Sequence, residues 1–143
     1  MIRIFAAFSF ILAGFFAATV EKFNQGLCVF EYLGVNKITF LRELQGVSSD
    51  DYIMLVISGY ILIIFGIILG FVKNKIAWGV LLFIALCIEL ILLRMIDTAP
   101  YTEIIYDSIF KCSNYSLMGW LIFHVIALVL SVVYFARNNY EDW

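Results

Sequence analysis

Two residues that can exchange a proton, Glu89 and His124, lie inside long apolar stretches of this chain. A carboxylate surrounded by hydrocarbon is costly unless it is paired, protonated or reached by water. Its presence points either to proton or ligand handling or to a pair that fixes two helices in register. At 1.5 Å of rise per residue, each sits about 10 Å below the same boundary of its stretch, so the two are matched in depth. Trp120, Ala127 and Ser131 share a helical face with His124, and Ser58 falls at similar depth on another stretch. Glu89, His124, Ser58 and Arg94 are therefore the candidate intramembrane polar site. Arg94 lies closest to the boundary, where its stem can carry the guanidinium out toward Asp97 or lipid headgroups.

Other chemistries lack their residues. The sequence has no CxxC pair, HExxH, phosphate-binding glycine loop or G-x-S-x-G, and its one histidine cannot supply bis-histidine ligation of a haem. No catalytic set, cofactor or metal site is expected, because a metal would have only Glu89 and His124 to bind. Asn114-Tyr115-Ser116 matches a glycosylation sequon, but it abuts an apolar stretch and is read as unused. Cys28 and Cys112 fall in two segments expected on the same side of the membrane, so they are candidates for a disulfide closing a long loop. Cys87 reads as a small packing residue.

The elements that must position these residues are four apolar runs, about 4–20, 52–72, 76–96 and 117–136. Each is long enough to cross a hydrocarbon core of about 30 Å as a helix. The runs are continuous rather than alternating, which selects helices over a closed barrel. The composition agrees, with 64% hydrophobic and 14% charged residues and a single proline. The expected fold is all-α: a polytopic four-helix transmembrane bundle in one domain, with outer segments at 21–51 and 97–116. Arg3, an apolar run and Ala17–Ala18 imitate a secretory signal, but no clean cleavage site follows, so the first run is read as retained.

Lys73 and Lys75 occupy the tight second connection with no acid beside them, while Arg3 precedes the first run and Arg137 follows the last. This places both termini and that hairpin in the cytoplasm. The formal net charge of −2, scattered along the chain, gives no surface for nucleic acid.

Small residues mark where helices approach closely. Gly59, Gly66 and Gly70 share one face of the second run, Gly66 and Gly70 forming a GxxxG pair, and Ala13, Gly14 and Ala17 lie on the first. Packing of the first helix on the second is expected, with a homodimer seam as the alternative. In the first outer segment, 27–33 and 38–44 could each be a short interfacial helix or a strand. In the second, Tyr101, Ile105 and Ile109 recur at helical spacing behind Pro100. Ser48 to Asp51 offer caps for the second run.

Four spans with a longer first outer segment form an outline similar to claudin-like tetraspan proteins and DoxX-like proteins. The first segment has neither the tryptophan nor the second cysteine of the claudin pattern, and Ala13-Gly14 is followed by no diagnostic charge of the DoxX-like pattern. No activity is carried over from either. The sequence favours a non-enzymatic membrane protein acting by contact with lipid and other membrane subunits, as an accessory or assembly subunit or regulator. Alternatives are an immunity protein against a pore-forming toxin, or a carrier or enzyme handling a proton, quinone or lipid at Glu89 and His124.

Overall fold

The computed structural model describes residues 1–22, 26–30, 37–43, 51–96 and 99–137. The helices are α1 (Ile2–Ala18), α2 (Tyr52–Phe71), α3 (Lys75–Arg94), α4 (Tyr101–Phe110) and α5 (Tyr115–Arg137). Two two-residue strands, β1 (Cys28–Val29) and β2 (Thr39–Phe40), pair antiparallel, and a 3-10 turn follows at Leu41–Glu43. Three helices, α2, α3 and α5, are long and apolar enough to cross a membrane, consistent with a helical membrane bundle. α1 is a shorter apolar helix of 17 residues.

α1 runs through the middle of the bundle, with α2 on one side and α5 on the other. Ala6, Ala7, Phe10, Ala13, Gly14 and Ala17 recur at three- and four-residue intervals and are buried. Their small size lets α2 approach almost to backbone contact. A Cβ added to Gly14 would lie 2.5 Å from the Gly59 carbonyl oxygen, and one added to Gly66 would lie 2.7 Å from Ile11 Cγ1. A Cβ on Gly70 would meet Ala7 Cβ at an ordinary 3.9 Å, so the tight seam runs through Gly59 and Gly66 and opens at Gly70. On the other side the Phe16 ring lies over Gly119 and stacks on Phe123, with ring centres 5.6 Å apart.

The α2–α3 hairpin closes one end. The Asn74 side chain accepts the Ala77 N–H at 3.0 Å, which satisfies an orphan donor of the first turn of α3. Trp78 is fully buried here: its Nε1–H donates to the Leu69 carbonyl at 3.1 Å, and its ring meets Tyr134 and Phe135 edge-on. Arg3 Nη1 donates to the Val72 carbonyl at 2.7 Å, tying the start of α1 to the same hairpin.

A small cap closes the other end. Within the two stretches left open between helix and strand, 27–33 and 38–44, the described residues form the two-residue strands β1 and β2 and the 3-10 turn at Leu41–Glu43, and α4 lies along the free edge of β1. There, side chains do what a third strand would otherwise do. Ser108 Oγ accepts the Cys28 N–H at 2.9 Å and donates to the Cys28 carbonyl at 3.2 Å, while Asp107 Oδ2 accepts the Phe30 N–H at 2.7 Å. Unpaired edge groups are thereby satisfied without another strand. The buried face of α4 is Ile104, Asp107, Ser108 and Ile109; of the expected Tyr101, Ile105 and Ile109, the last is buried and the other two are partly buried against the core, so the buried face is centred beside that stripe. Hydrogen bonding to β1, absent from a hydrophobic pattern, sets that rotation.

Cys28 and Cys112 are joined by a disulfide that closes 84 residues of sequence and ties β1 to the turn after α4. Ser113 takes a left-handed φ of 51°, and Asn114 then starts α5 with its Oδ1 accepting the Leu117 N–H at 2.9 Å. Asp51 stands at the N-cap of α2 without a side-chain capping bond, and Ser48 to Asp50 lie outside the described residues.

Candidate functional site

α3 and α5 run antiparallel, yet their backbones stand apart, and long side chains bridge the space. At the hairpin end the bridge is Trp78 against Tyr134 and Phe135. Toward the cap it is Glu89 and His124, with His124 Nε2 3.5 Å from a Glu89 carboxylate oxygen. Beside this pair lies a cleft of about 270 Å³ lined by Leu86, Glu89, Leu90, Leu93, Trp120, Leu121 and His124. Leu90 and Leu121 are exposed on the flank of the bundle, so the mouth of the cleft faces sideways.

Two aromatic side chains pack against the imidazole of the pair. Phe10 of α1 meets the imidazole edge-on at 5.8 Å between ring centres, and Trp120 packs on it from one turn earlier in α5 at 5.6 Å. The Trp120 indole also lies beside the Glu89 carboxylate, without a hydrogen bond of good geometry. Among the described residues, the buried side-chain nitrogen and oxygen atoms without a hydrogen-bond partner are Glu89 Oε1, Trp120 Nε1 and His124 Nδ1, all on residues that line this cleft, with the atoms themselves closed off from it.

Three serines of the long helices contrast with these. Ser9 donates to Phe5 O, Ser58 to Leu55 O and Ser131 to Ala127 O, each bonding a carbonyl of its own helix. Ser58 is therefore satisfied in the α2 core and does not line the cleft. Arg94 is exposed at the end of α3 and does not line it either, and Asp97 lies outside the described residues. Of the four polar candidates, the structure gathers Glu89 and His124, and adds Trp120 as the third polar member. Trp120 lies four residues from His124, on the same helical face.

The cap has its own polar cluster, but its groups are engaged with backbone. Asn114 Nδ2, the nitrogen a glycan would need, is buried and donates to the Gly26 carbonyl at 2.9 Å. Asp107 also pairs with Lys111 at 3.0 Å, and Lys111 Nζ lies 4.1 Å above the centre of the Phe30 ring. Glu21 Oε1 accepts the Leu27 N–H at 3.1 Å. Burial pushes the Glu21 carboxyl above the usual carboxylate range, opposed by that hydrogen bond and by the Arg42 charge. Among the described residues, no group of three or more His, Cys, Asp or Glu converges as a metal site.

No protein-family model, curated protein or solved structure matches this chain.

Proposed function

We propose that the protein is a four-span integral membrane protein, with both termini and the α2–α3 hairpin on the cytoplasmic face, that acts by contact within the bilayer. In this reading it is a non-enzymatic accessory or assembly subunit, or a regulator, of a larger membrane complex. The observation that carries the proposal is how the cap's polar groups are used. Ser108, Asp107 and Asn114 hold the backbone of 26–30, which directs them to structure rather than to a substrate. The reading of α1 as the fourth span is supported by its packing along both α2 and α5, antiparallel to each, with an outer face of Ile4, Phe5, Phe8 and Phe15 exposed as a lipid-facing surface would be. A span of 17 residues is at the short end of what crosses a bilayer, and Thr19 and Val20 extend it.

Purification in mild detergent followed by mass spectrometry of the intact complex tests the reading. A stoichiometric membrane partner is expected. A monodisperse species without a protein partner, showing turnover of a lipid or quinone, would overturn it.

A further inference from the structure

We propose that the pocket between the start of α1 and the end of α5 binds a phosphomonoester through Arg3 and Arg137, as the headgroup of an anionic lipid such as phosphatidic acid. This rests on the bundle crossing the bilayer, and on neither its orientation nor its partners.

The two arginines stand at opposite ends of the sequence, and neither belongs to a basic run. Antiparallel packing of α1 on α5 brings both to one pocket of about 410 Å³, lined by Met1, Ile2, Arg3, Ile4, Tyr134 and Arg137. The hairpin fixes two of these residues: Arg3 Nη1 donates to the Val72 carbonyl at 2.7 Å, and the Tyr134 ring meets Trp78 edge-on. The bond to Val72 uses one of the five guanidinium N–H donors of Arg3 and leaves the others for a ligand. Arg137 is exposed, and among the described residues the ion pairs are Lys111–Asp107 and His124–Glu89, both elsewhere.

Charge then selects the ligand. The acids among the described residues are Glu21, Glu43, Asp51, Glu89, Glu103 and Asp107, and all lie in the cap or nearer to it than to the hairpin. Because the start of α1 meets the end of α5, their helix dipoles oppose each other here, and the guanidinium groups set the field. Two positive charges in a pocket lined by no acid call for two negative ones. A phosphomonoester carries about −1.5 to −2 at pH 7 and offers three terminal oxygens, which suit two planar guanidinium forks. A phosphodiester brings one charge, and a choline head would set its own cation against the arginines. The pocket also has apolar walls. Ile4 lines it and, with Phe8 one turn further on, is exposed on the outer face of α1. Arginines at the end of the bundle with an apolar stripe leading away from them match a lipid whose phosphate stays at the surface while its chain follows α1.

The test titrates the full chain in dodecylmaltoside with phosphatidic acid carrying a fluorophore on its tail. Saturable binding is expected, with unlabelled phosphatidic acid competing about tenfold better than phosphatidylglycerol, and phosphatidylcholine not competing. Glycerol phosphate and inorganic phosphate separate the sources. Weak competition by both supports a lipid, whereas competition equal to that of phosphatidic acid would assign the pocket to a soluble phosphomonoester and overturn the lipid assignment. Arg137→Gln should weaken binding about tenfold at an unchanged melting temperature, and Arg137→Lys, which keeps the charge without the fork, should recover only part of the loss. Lys75→Gln, at the same end but outside the pocket, should leave binding unchanged. Equal losses in Arg137→Gln and Lys75→Gln would reduce the site to a diffuse positive surface and overturn the proposal, as would equal competition by phosphatidic acid and phosphatidylglycerol. Glu141 and Asp142 follow α5 and lie outside the described residues. Saturable binding seen only after Glu141→Gln and Asp142→Asn would give the pocket to the chain's own tail instead. A chain that stays monodisperse in buffer without detergent would overturn the spanning reading and this one together; every other failure leaves the spanning reading standing.

Discussion

His124 and Glu89 meet at 3.5 Å across two helices whose backbones otherwise stand apart, and each keeps one polar atom without a partner. The pair is a link between α3 and α5 as well as a candidate site. Glu89→Ala and His124→Ala should each destabilise the detergent-solubilised protein, and the double mutant should cost less than their sum, because the second change removes a group already orphaned. Polar contacts between membrane helices average about 0.6 kcal/mol and reach about 1.7, so the coupling energy should fall in that range. Strictly additive melting data from the four proteins would refute the interaction.

The α1–α2 seam separates glycines that the sequence alone treats alike. Gly14→Ala and Gly66→Ala force a Cβ into backbone or side-chain atoms of the facing helix, and overpacking of this kind costs about 1–3 kcal/mol. Gly70→Ala places its Cβ in ordinary contact with Ala7 and should be neutral or slightly stabilising through helix propensity. Thermal unfolding in detergent would show the contrast, and equal losses at Gly66 and Gly70 would contradict the seam.

Reduction of the Cys28–Cys112 disulfide should loosen the cap before the bundle. A native disulfide closing a long loop contributes about 2–4 kcal/mol. Oxidised and reduced samples should differ in gel mobility, and Cys28→Ser should abolish the difference. Hydrogen exchange at Cys28 and Phe30, whose amides are held by Ser108 and Asp107, should rise on reduction more than exchange within α2.

Glu21 predicts a pH dependence. Its carboxyl holds a proton to higher pH in the folded protein than in the unfolded chain, chiefly because it is buried. The folded state therefore binds more protons between the two values, and stability falls as pH rises from the ordinary carboxylate range through the raised one. Below that window the contribution is fully present. Glu21→Gln, which retains an oxygen for the Leu27 N–H, should flatten the dependence across that window; an unchanged slope would assign it to other groups.

The proposed orientation is open to labelling. A cysteine placed at Lys73 in the hairpin should react with an impermeant thiol reagent only from the cytoplasm, and one at Thr102, on the exposed face of α4, only from outside. Reversal of both would invert the topology, and labelling of both from one side would remove a span.

The apolar runs at 52–72, 76–96 and 117–136 were legible because continuous hydrocarbon over that length leaves a helix as the simplest way to satisfy the backbone in lipid. The depth match of Glu89 and His124 was legible for a similar reason, since rise per residue is fixed along a helix. Sequence could not say that α3 would stand off from α5, because the order of helices around a bundle is decided by which faces can approach. Here Gly14, Gly59 and Gly66 draw α2 onto α1, Gly119 admits Phe16 of α1 against α5, and α3 is left to reach α5 through side chains. That spacing makes a cleft and leaves Ser58 out of it. The cap was the least legible part. Ser108, Asp107 and Asn114 are ordinary polar residues in a pattern, and only the tertiary fold brings them to the backbone of residues about eighty positions earlier, where an unpaired strand edge needs them.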